Sequence, residues 1–313
     1  MAAKRSLAKK SRRTRRSRFF NDTSIDAPVE VEQPQFEEEA PIWKYDLKGF
    51  TGNVMEPYEE FPIRQNLSYF GPLFICSQLC GGMTFIMVLL WGLLCNGGFS
   101  GPSIPHLWFN WHPLLMTLGL IIIQGDSILI YRVLRNEAKP RLKLIHTFLH
   151  FSAFLMVVGG LKTVLDSHNY AEPKPIPNFY SLHSFVGLTA VIMFGIQFIA
   201  GFLSFLYPGI RKTLRTRYLP LHVFGGTMIF ILSTCAALMG ITEKIIYSYN
   251  YSSLPIGAQV GNTFGVFLVV FAMLVFYLVS HPNYKRINLP EEQVLAFDYS
   301  EEPYDRASNN GAG

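Results

Sequence analysis

Charge is the scarcest property of this sequence. Only 16% of its 313 residues are Asp, Glu, Lys or Arg, half are apolar, and none of the four charged types occurs between Arg64 and Asp126. A soluble globular domain carries about 25% charged residues. The deficit therefore argues against a soluble protein and indicates a chain that lies largely within a lipid bilayer.

The sequence also has few cysteines and no long apolar segment near its N-terminus. The four cysteines, Cys76, Cys80, Cys95 and Cys235, form neither a disulfide framework for loops nor a Cys-x-x-Cys-His motif. The first 60 residues lack an apolar core segment. We therefore expect no cleaved signal peptide and a first membrane span that acts as its own insertion signal.

Long apolar stretches are what the sequence has instead. Six of them reach the length of about 20 residues that a helix needs to cross a bilayer. The sequence therefore predicts an all-α membrane protein with six transmembrane helices. The predicted spans are residues 71–95, 108–131, 143–165, 179–205, 219–241 and 259–280.

Basic residues are distributed unevenly around these spans. They concentrate in residues 4–18, 132–143 and 211–217 and at Lys285 and Arg286, whereas the other connections carry few. Because Lys and Arg favour the cytoplasmic side of a membrane, both termini are expected to be cytoplasmic. An even number of spans agrees with this topology.

The two ends of the chain are polar and rich in charge, unlike the apolar middle. Residues 4–18 hold nine Lys or Arg, and residues 22–60 hold eleven Asp or Glu against two Lys. Such charge blocks cannot bury a core, so residues 1–65 and 286–313 are predicted to be disordered cytoplasmic segments around a membrane domain at 66–285. Nucleic-acid binding fits poorly, because the basic block is tethered to a membrane protein and followed by an acidic one.

Four histidines lie about one helical turn inside the predicted spans. His112 and His183 belong to spans 2 and 4, which begin outside, and His146 and His222 belong to spans 3 and 5, which begin inside. An unsatisfied imidazole is costly in a membrane interior, so each needs a partner. Two parallel helices can present two imidazoles at one height, as the axial positions of a haem iron require. The pattern predicts two non-covalent, bis-histidine b-type haems and electron transfer across the bilayer.

One assignment within this set has a rival. His150 lies one turn deeper than His146 on the same face of span 3, and it is an alternative ligand. We prefer His146, because its depth matches that of His222. His106, His168 and His281 lie in loops or at a span end and are expected to have solvated or interfacial roles.

The stretches around these histidines resemble the cytochrome b561 family, the ascorbate-reducible transmembrane di-haem cytochromes. The resemblance covers roughly residues 70–285, and the N-terminal extension falls outside it. The stretches that carry it are Asn110–Met116 (NWHPLLM), Leu129–Arg135, Lys143–His146, Tyr180–Phe185, Leu221–Phe224 and Ala237–Lys244.

The resemblance implies a central four-helix bundle with two b haems, a homodimer, and electron flow from cytoplasmic ascorbate to an outer acceptor, either monodehydroascorbate or ferric iron. It implies that His112 and His183 ligate the outer haem and His146 and His222 the inner one. The remaining residues that it implicates are Lys139, Lys143 and Arg215 for cytoplasmic ascorbate, His168 and Asn169 for the outer acceptor, and Arg132 for a haem propionate.

Two other functional classes compete with this interpretation. A haem-bearing membrane subunit that exchanges electrons with quinone would use the same histidines, but would ordinarily need a flavin or iron–sulfur partner. A haem-free receptor or transporter would leave the four matched histidines unexplained. We therefore expect an ascorbate-dependent transmembrane oxidoreductase in the plasma membrane or in an endosomal, lysosomal or secretory vesicle membrane.

Overall fold

The computed structural model describes residues 65–289 and Glu292, and the regular structure within them is helical throughout. Six helical spans in this part of the chain are long and apolar enough to cross a membrane. The predicted fold class is therefore confirmed. The spans are Phe70–Cys95, Pro105–Val133, Lys139–Asn169, Leu182–Phe205, Lys212–Ser248 and Ile256–Ser280, called spans 1 to 6 below.

Four spans are single helices or nearly so, and two contain π-helical turns. Span 1 is α1, Phe70–Leu90, continued by a π-helix, Trp91–Cys95. Span 2 joins α2, Pro105–Trp108, and α3, Trp111–Met116, to a π-helical segment, Thr117–Ile123, and α4, Gln124–Val133. Spans 3 to 6 are α5, Lys139–Asn169, α6, Leu182–Phe205, α7, Lys212–Ser248, and α8, Ile256–Ser280, and short 3-10 turns lie at Tyr251–Ser253 and Pro282–Tyr284.

Spans 3 and 5 extend beyond their predicted bounds at both ends. Span 3 was expected at 143–165 and is helical over Lys139–Asn169, and span 5 was expected at 219–241 and is helical over Lys212–Ser248. Hydropathy detects only the apolar centre of a helix, whereas backbone hydrogen bonds continue through polar flanking residues. Lys139 and Arg215 consequently lie on helices rather than on loops, and Lys143 lies one turn inside span 3 rather than at its first residue.

The spans pack around two clusters of buried side chains. Spans 1 and 6 pack along each other, and span 4 packs along span 5. The larger cluster includes Trp91, Phe230, Phe264 and Phe271 and joins spans 1, 2, 5 and 6. The smaller cluster contains residues from each of spans 2 to 5, which form the central four-helix bundle. Its buried members are Leu120, Ala153, Val157, Phe194 and Ile229.

The outer surface of the bundle is strongly apolar. Phe148 is 68% exposed, Met273 65% and Ile75 60%. An exposed apolar surface of this extent marks a surface that another phase covers, and on six long helices that phase is lipid. Consecutive spans run in opposite directions, so spans 2, 4 and 6 begin at one end of the bundle and spans 1, 3 and 5 at the other. We call these the His112 end and the His146 end, after the histidines near them.

Candidate functional site

The structure brings the four histidines together in the two predicted pairs. The ring centres of His112 and His183 are 6.2 Å apart with their planes at 86°, near the start of spans 2 and 4. The ring centres of His146 and His222 are 6.3 Å apart with their planes at 66°, near the start of spans 3 and 5. Each pair therefore consists of residues from alternate spans at one end of the bundle.

Backbone carbonyls fix the tautomer of three of these rings. Nδ1 of His112 lies 2.9 Å from the carbonyl oxygen of Gly160, and Nδ1 of His183 lies 2.8 Å from that of Ala236. Nδ1 of His146 lies 2.9 Å from the carbonyl oxygen of Ser127. Because a carbonyl oxygen only accepts, Nδ1 must carry the proton, and Nε2 keeps its lone pair. This is the arrangement that orients an imidazole as a metal ligand.

The separation of the rings fits a metal ion between them. Metal–imidazole bonds of about 2.0–2.1 Å, with the nitrogen about 1.1 Å from its ring centre, place two opposed ring centres about 6.3 Å apart. The observed 6.2 Å and 6.3 Å agree with that value. Two ligating histidines suffice for a haem iron, because the macrocycle supplies the other four nitrogens.

A glycine on a facing helix lies against one ring of each pair. A Cβ added to Gly240 would approach Cε1 of His183 to 2.7 Å, and one added to Gly201 would approach Cε1 of His222 to 2.8 Å. Real side chains do not tolerate contacts that short. At these two glycines the backbone therefore comes close to a histidine ring. Each histidine pair has one such glycine next to it.

The His112 end also holds a large cavity. Its volume is about 950 Å³, and both His112 and His183 line it. Small-molecule and cofactor sites commonly occupy about 300–1,000 Å³. The donor set, the ring separation and this space are all compatible with a haem group held by the pair.

His150 lies beside the other pair rather than within it. Its ring centre is 4.4 Å from that of His146 and 5.7 Å from that of Phe194. His222 instead lies opposite His146, and His222 packs against the ring of Phe205 at 5.0 Å. This geometry favours His146 over His150 as the partner of His222. Within the described residues, Nδ1 of both His150 and His222 is buried without a hydrogen bond.

Basic side chains collect next to this second pair. Nζ of Lys143 donates to the carbonyl oxygen of Phe205 at 3.0 Å. Lys143 also lies within the electrostatic range of Lys139 and Arg215. Because the ring of Phe205 contacts His222, the three cations lie close to one edge of the histidine pair. An anion bound among them would therefore be a near neighbour of that pair.

Arg132, which the resemblance implicates in contact with a haem propionate, lies where span 2 meets the end of span 6. Its Nη1 donates to the carbonyl oxygen of His281 at 2.6 Å, which ties the end of span 2 to the end of span 6. Arg135 makes a cation–π contact with Phe70 next to it, at 4.8 Å. Arg132 therefore ties span 2 to span 6, and Arg135 ties span 2 to span 1.

Sequence analysis missed two residues at the His112 end. The ring of Phe109 lies between His168, 6.4 Å away and parallel, and His112, 5.9 Å away. Nζ of Lys244 lies 4.7 Å above the same ring. The sequence signal for Lys244 is its isolation, since few other cations occur on that side.

Of the two residues implied for the outer acceptor, only His168 lines this cavity. His168 and Glu243 line it, and Glu243 accepts a hydrogen bond from Ser181 at 3.1 Å. Asn169 is exposed, and its Oδ1 accepts from Nδ2 of Asn178 at 2.8 Å. The cavity that both His112 and His183 line is therefore also lined by the imidazole of His168, by Lys244 and by the amide residue Asn178.

Comparison with known proteins connects these pairs to a family. The chain is 38% identical over 225 residues to the mouse transmembrane ascorbate-dependent reductase CYB561, which spans 71% of this chain and 88% of the relative. It is 40% identical over 248 residues to the Xenopus tropicalis plasma membrane ascorbate-dependent reductase CYBRD1, covering 77% and 81%. It is 34% identical over 240 residues to a putative Caenorhabditis elegans homologue of CYB561, covering 74% and 90%.

The match to the family profile falls on the central bundle. The profile of eukaryotic cytochrome b561 covers residues 111–248, which include all four paired histidines, both glycines that contact them, and Lys244. The histidine pairs, the glycines against them and the similarity over most of the relatives' length agree, and this membrane protein belongs to the cytochrome b561 family.

Proposed function

We propose that this protein transfers electrons across a membrane, from cytoplasmic ascorbate to an acceptor on the other side, either monodehydroascorbate or ferric iron. The relatives named as ascorbate-dependent reductases support the donor. The observation that carries the proposal is the presence of two histidine pairs, one near each end of the bundle, with ring separations that suit a metal between them.

The two pairs have one role each in this proposal. His112 and His183 hold an outer haem b, and His146 and His222 hold an inner one. Each bound haem would supply a one-electron carrier, so that two carriers at different depths divide the crossing of the bilayer. The carbonyls of Gly160, Ala236 and Ser127 hold three of the four imidazoles in the ligating tautomer.

The cations at the His146 end form the proposed donor site. Ascorbate is a monoanion at neutral pH, so Lys139, Lys143 and Arg215 attract it and reduce its freedom to rotate. Lys143 is held at the end of span 4 through the carbonyl oxygen of Phe205. Through the contact between Phe205 and His222, the bound anion lies near the edge of the inner site.

The cavity at the His112 end forms the proposed acceptor site. His168 and Asn169 contact monodehydroascorbate or a ferric chelate, both of which are polar and carry negative charge. Lys244 adds the cation that such an acceptor needs, because its ammonium group lines the same cavity. Phe109 lies between His168 and His112 and fixes the distance from the acceptor to the outer pair.

The orientation follows from the distribution of basic residues. Residues 132–143 and 211–217 and Arg286 lie at the His146 end, so this end and both termini face the cytoplasm. The homodimer and a location in the plasma membrane or a vesicle membrane remain part of the proposal through the family resemblance.

The decisive experiment uses protein reconstituted into vesicles. Ascorbate added at the cytoplasmic face is expected to reduce a b-type spectrum fully, and monodehydroascorbate or ferric chelate at the other face is expected to reoxidise it. A stopped-flow spectrophotometer follows both phases. Purified protein without a reducible b-type spectrum would contradict the proposal, and reduction by quinol but not by ascorbate would favour the quinone-linked alternative.

The two close glycines give a prediction about cofactor retention. Gly240→Ala is expected to displace His183 and to lower occupancy of the outer haem at least twofold, and Gly201→Ala should do the same to the inner haem through His222. Haem content per protomer and the redox titration of each haem measure this. Gly195→Ala is the matched control, because a Cβ there meets no atom within 4 Å. Equal losses from all three variants would contradict the prediction.

Lys244 gives a prediction about the acceptor side. Lys244→Met is expected to slow reoxidation by an anionic acceptor about tenfold, since one charge-assisted contact contributes about 1.5–3 kcal/mol. Reduction by ascorbate at the other end should change by less than a factor of two. Lys162→Met is the control, because Lys162 is exposed and paired with Asp166. Slower reduction from the donor side in Lys244→Met would show that the residue acts elsewhere.

A further inference from the structure

The chain beyond span 6 folds back onto the start of span 3. Nη2 of Arg286 donates to the backbone carbonyl of Glu137 at 2.8 Å, in the connection between spans 2 and 3. The same guanidinium holds the carboxylate of Glu292 through Nη1 at 2.8 Å and Nη2 at 2.9 Å. The side chain of Arg286 is only 6% exposed and that of Glu292 15%. The contact is therefore a largely buried ion pair rather than a loose surface one.

The carboxylate of Glu292 accepts hydrogen bonds from two backbone N–H groups as well as from Arg286. Its Oε1 accepts from the backbone N–H of Lys139 at 3.1 Å, and its Oε2 accepts from the backbone N–H of Leu289 at 3.1 Å. Nζ of Lys139 lies 3.7 Å from Oε2. A bidentate guanidinium together with a helix N-terminus is a strong receptor for an anion. We call this arrangement of Lys139, Arg286, Leu289 and Glu292 the tail clamp.

The tail clamp stays charged under physiological conditions. The hydrogen bonds from Arg286 lower the pKa of the Glu292 carboxyl to about 2. A carboxyl with a depressed pKa contributes its stabilisation above its ordinary pKa and loses it only as the pH falls through the depressed value. Between pH 5 and 8 the receptor is consequently occupied by a full negative charge that belongs to the chain itself.

The position of the tail clamp gives it a functional consequence. Lys139 is one of the three cations proposed to attract ascorbate, and Glu292 is the carboxylate beside it. Lys143 instead donates to a carbonyl oxygen, so its charge is not neutralised there. An ascorbate anion that approaches Lys139 therefore meets an ammonium group and a helix N-terminus that a tethered carboxylate already occupies.

We propose that Glu292 is an intramolecular competitor of the anionic electron donor. With Glu292 in the tail clamp, ascorbate binds only to the cations that remain free. When Glu292 leaves, the ammonium and backbone N–H of Lys139 and the guanidinium of Arg286 become available to the donor. This inference rests on the proposed function, and it adds a means by which the C-terminal segment sets the affinity for ascorbate.

Substitution of the carboxylate tests the proposal. Glu292→Gln should lower the half-saturating ascorbate concentration for haem reduction about fivefold, the factor expected when one repelling charge is removed at contact distance in water. The limiting rate should stay within a factor of two. Glu137→Gln is the matched control, because it removes the same charge near the start of span 3, where Glu137 pairs with exposed Arg141 rather than with Lys139. An unchanged or raised half-saturating concentration in Glu292→Gln overturns the proposal.

Cross-linking of the unsubstituted protein gives a second readout that needs no variant and no turnover. A water-soluble carbodiimide should join Nζ of Lys139 to the carboxyl carbon of Glu292 as an amide, with one carboxyl oxygen leaving in the urea by-product. Mass spectrometry of the digested protein measures the yield. Saturating ascorbate should lower that yield at least twofold relative to protein reduced with dithionite. Equal yields in the two samples overturn the proposal.

The two experiments separate this inference from the proposed function. If ascorbate fails to reduce the unsubstituted protein, the proposed function itself is wrong. Suppose instead that ascorbate reduces the protein and that Arg215→Gln raises the half-saturating ascorbate concentration, while Glu292→Gln leaves this concentration unchanged. The proposed donor site then stands, and only the competition by Glu292 is excluded.

Discussion

Under the proposed function, replacement of His146 or His222 by alanine is expected to remove the inner haem and to leave the outer one in place. The two rings face each other at 6.3 Å, and neither lies in the pair formed by His112 and His183. The haem content of either variant should fall to about half of that of the unsubstituted protein, because both histidines of a pair would be needed to hold its haem. Electron transfer across the membrane should be lost in both.

The measurement combines haem content per protomer with a redox titration. His112→Ala and His183→Ala should remove the other component of the titration. His150→Ala is the matched control, because this ring lies 4.4 Å from His146 on the same span, whereas His222 is the histidine that faces His146 from span 5, and both haems should be retained. Loss of the same component from His150→Ala with retention in His146→Ala would reverse the assignment. Loss of both components from any single variant would show that the pairing is wrong.

Neutralisation of the donor-site cations is expected to weaken the binding of ascorbate rather than to slow the electron transfer that follows binding. Lys143→Gln and Arg215→Gln should each raise the half-saturating ascorbate concentration about tenfold, the equivalent of about 1.4 kcal/mol of binding free energy. The limiting rate of haem reduction should change by less than a factor of three. The reason is that these side chains attract and orient an anion, while the histidine pair beside them is unaltered.

Stopped-flow reduction at a series of ascorbate concentrations separates the two parameters. Arg141→Gln is the matched control, because Arg141 carries the same charge near the start of span 3 but pairs with Glu137 and is exposed. It should leave the half-saturating concentration within a factor of two. Added salt should narrow the difference between Lys143→Gln and the unsubstituted protein, because it screens the attraction. An effect of equal size in Arg141→Gln would indicate general surface charge instead of a site.

Much of the fold was predictable because the bilayer restricts the choice of structure. A stretch of about 20 apolar residues in lipid must be a helix, since every backbone N–H and C=O has to be bonded within the segment. All six spans were therefore predicted, and only their polar ends were misjudged, as at Lys212 and Ser248. The irregular turn at Thr117–Ile123 was not predicted, because π-helical bonding depends on what packs against the turn.

The candidate site shows the same division. The pairing of His112 with His183 and of His146 with His222 could be inferred from depth alone, because alternate spans run in one direction. The close approach of Gly240 to His183, and the position of Phe109 between His168 and His112, could not be inferred. These contacts depend on how each helix is rotated about its own axis, and side-chain packing against several neighbours at once sets that rotation.

The sequence by itself determined the number of spans, the end of the bundle at which each histidine lies and the concentration of cations at one end. These properties follow from hydropathy, chain direction and charge, which are read one segment at a time. Only the tertiary structure decided which carbonyl holds which imidazole, that Arg132 contacts the carbonyl of His281, and that Glu292 occupies the start of span 3. Such contacts join residues as much as 153 positions apart, so their free energies depend on the packed whole and not on any local stretch.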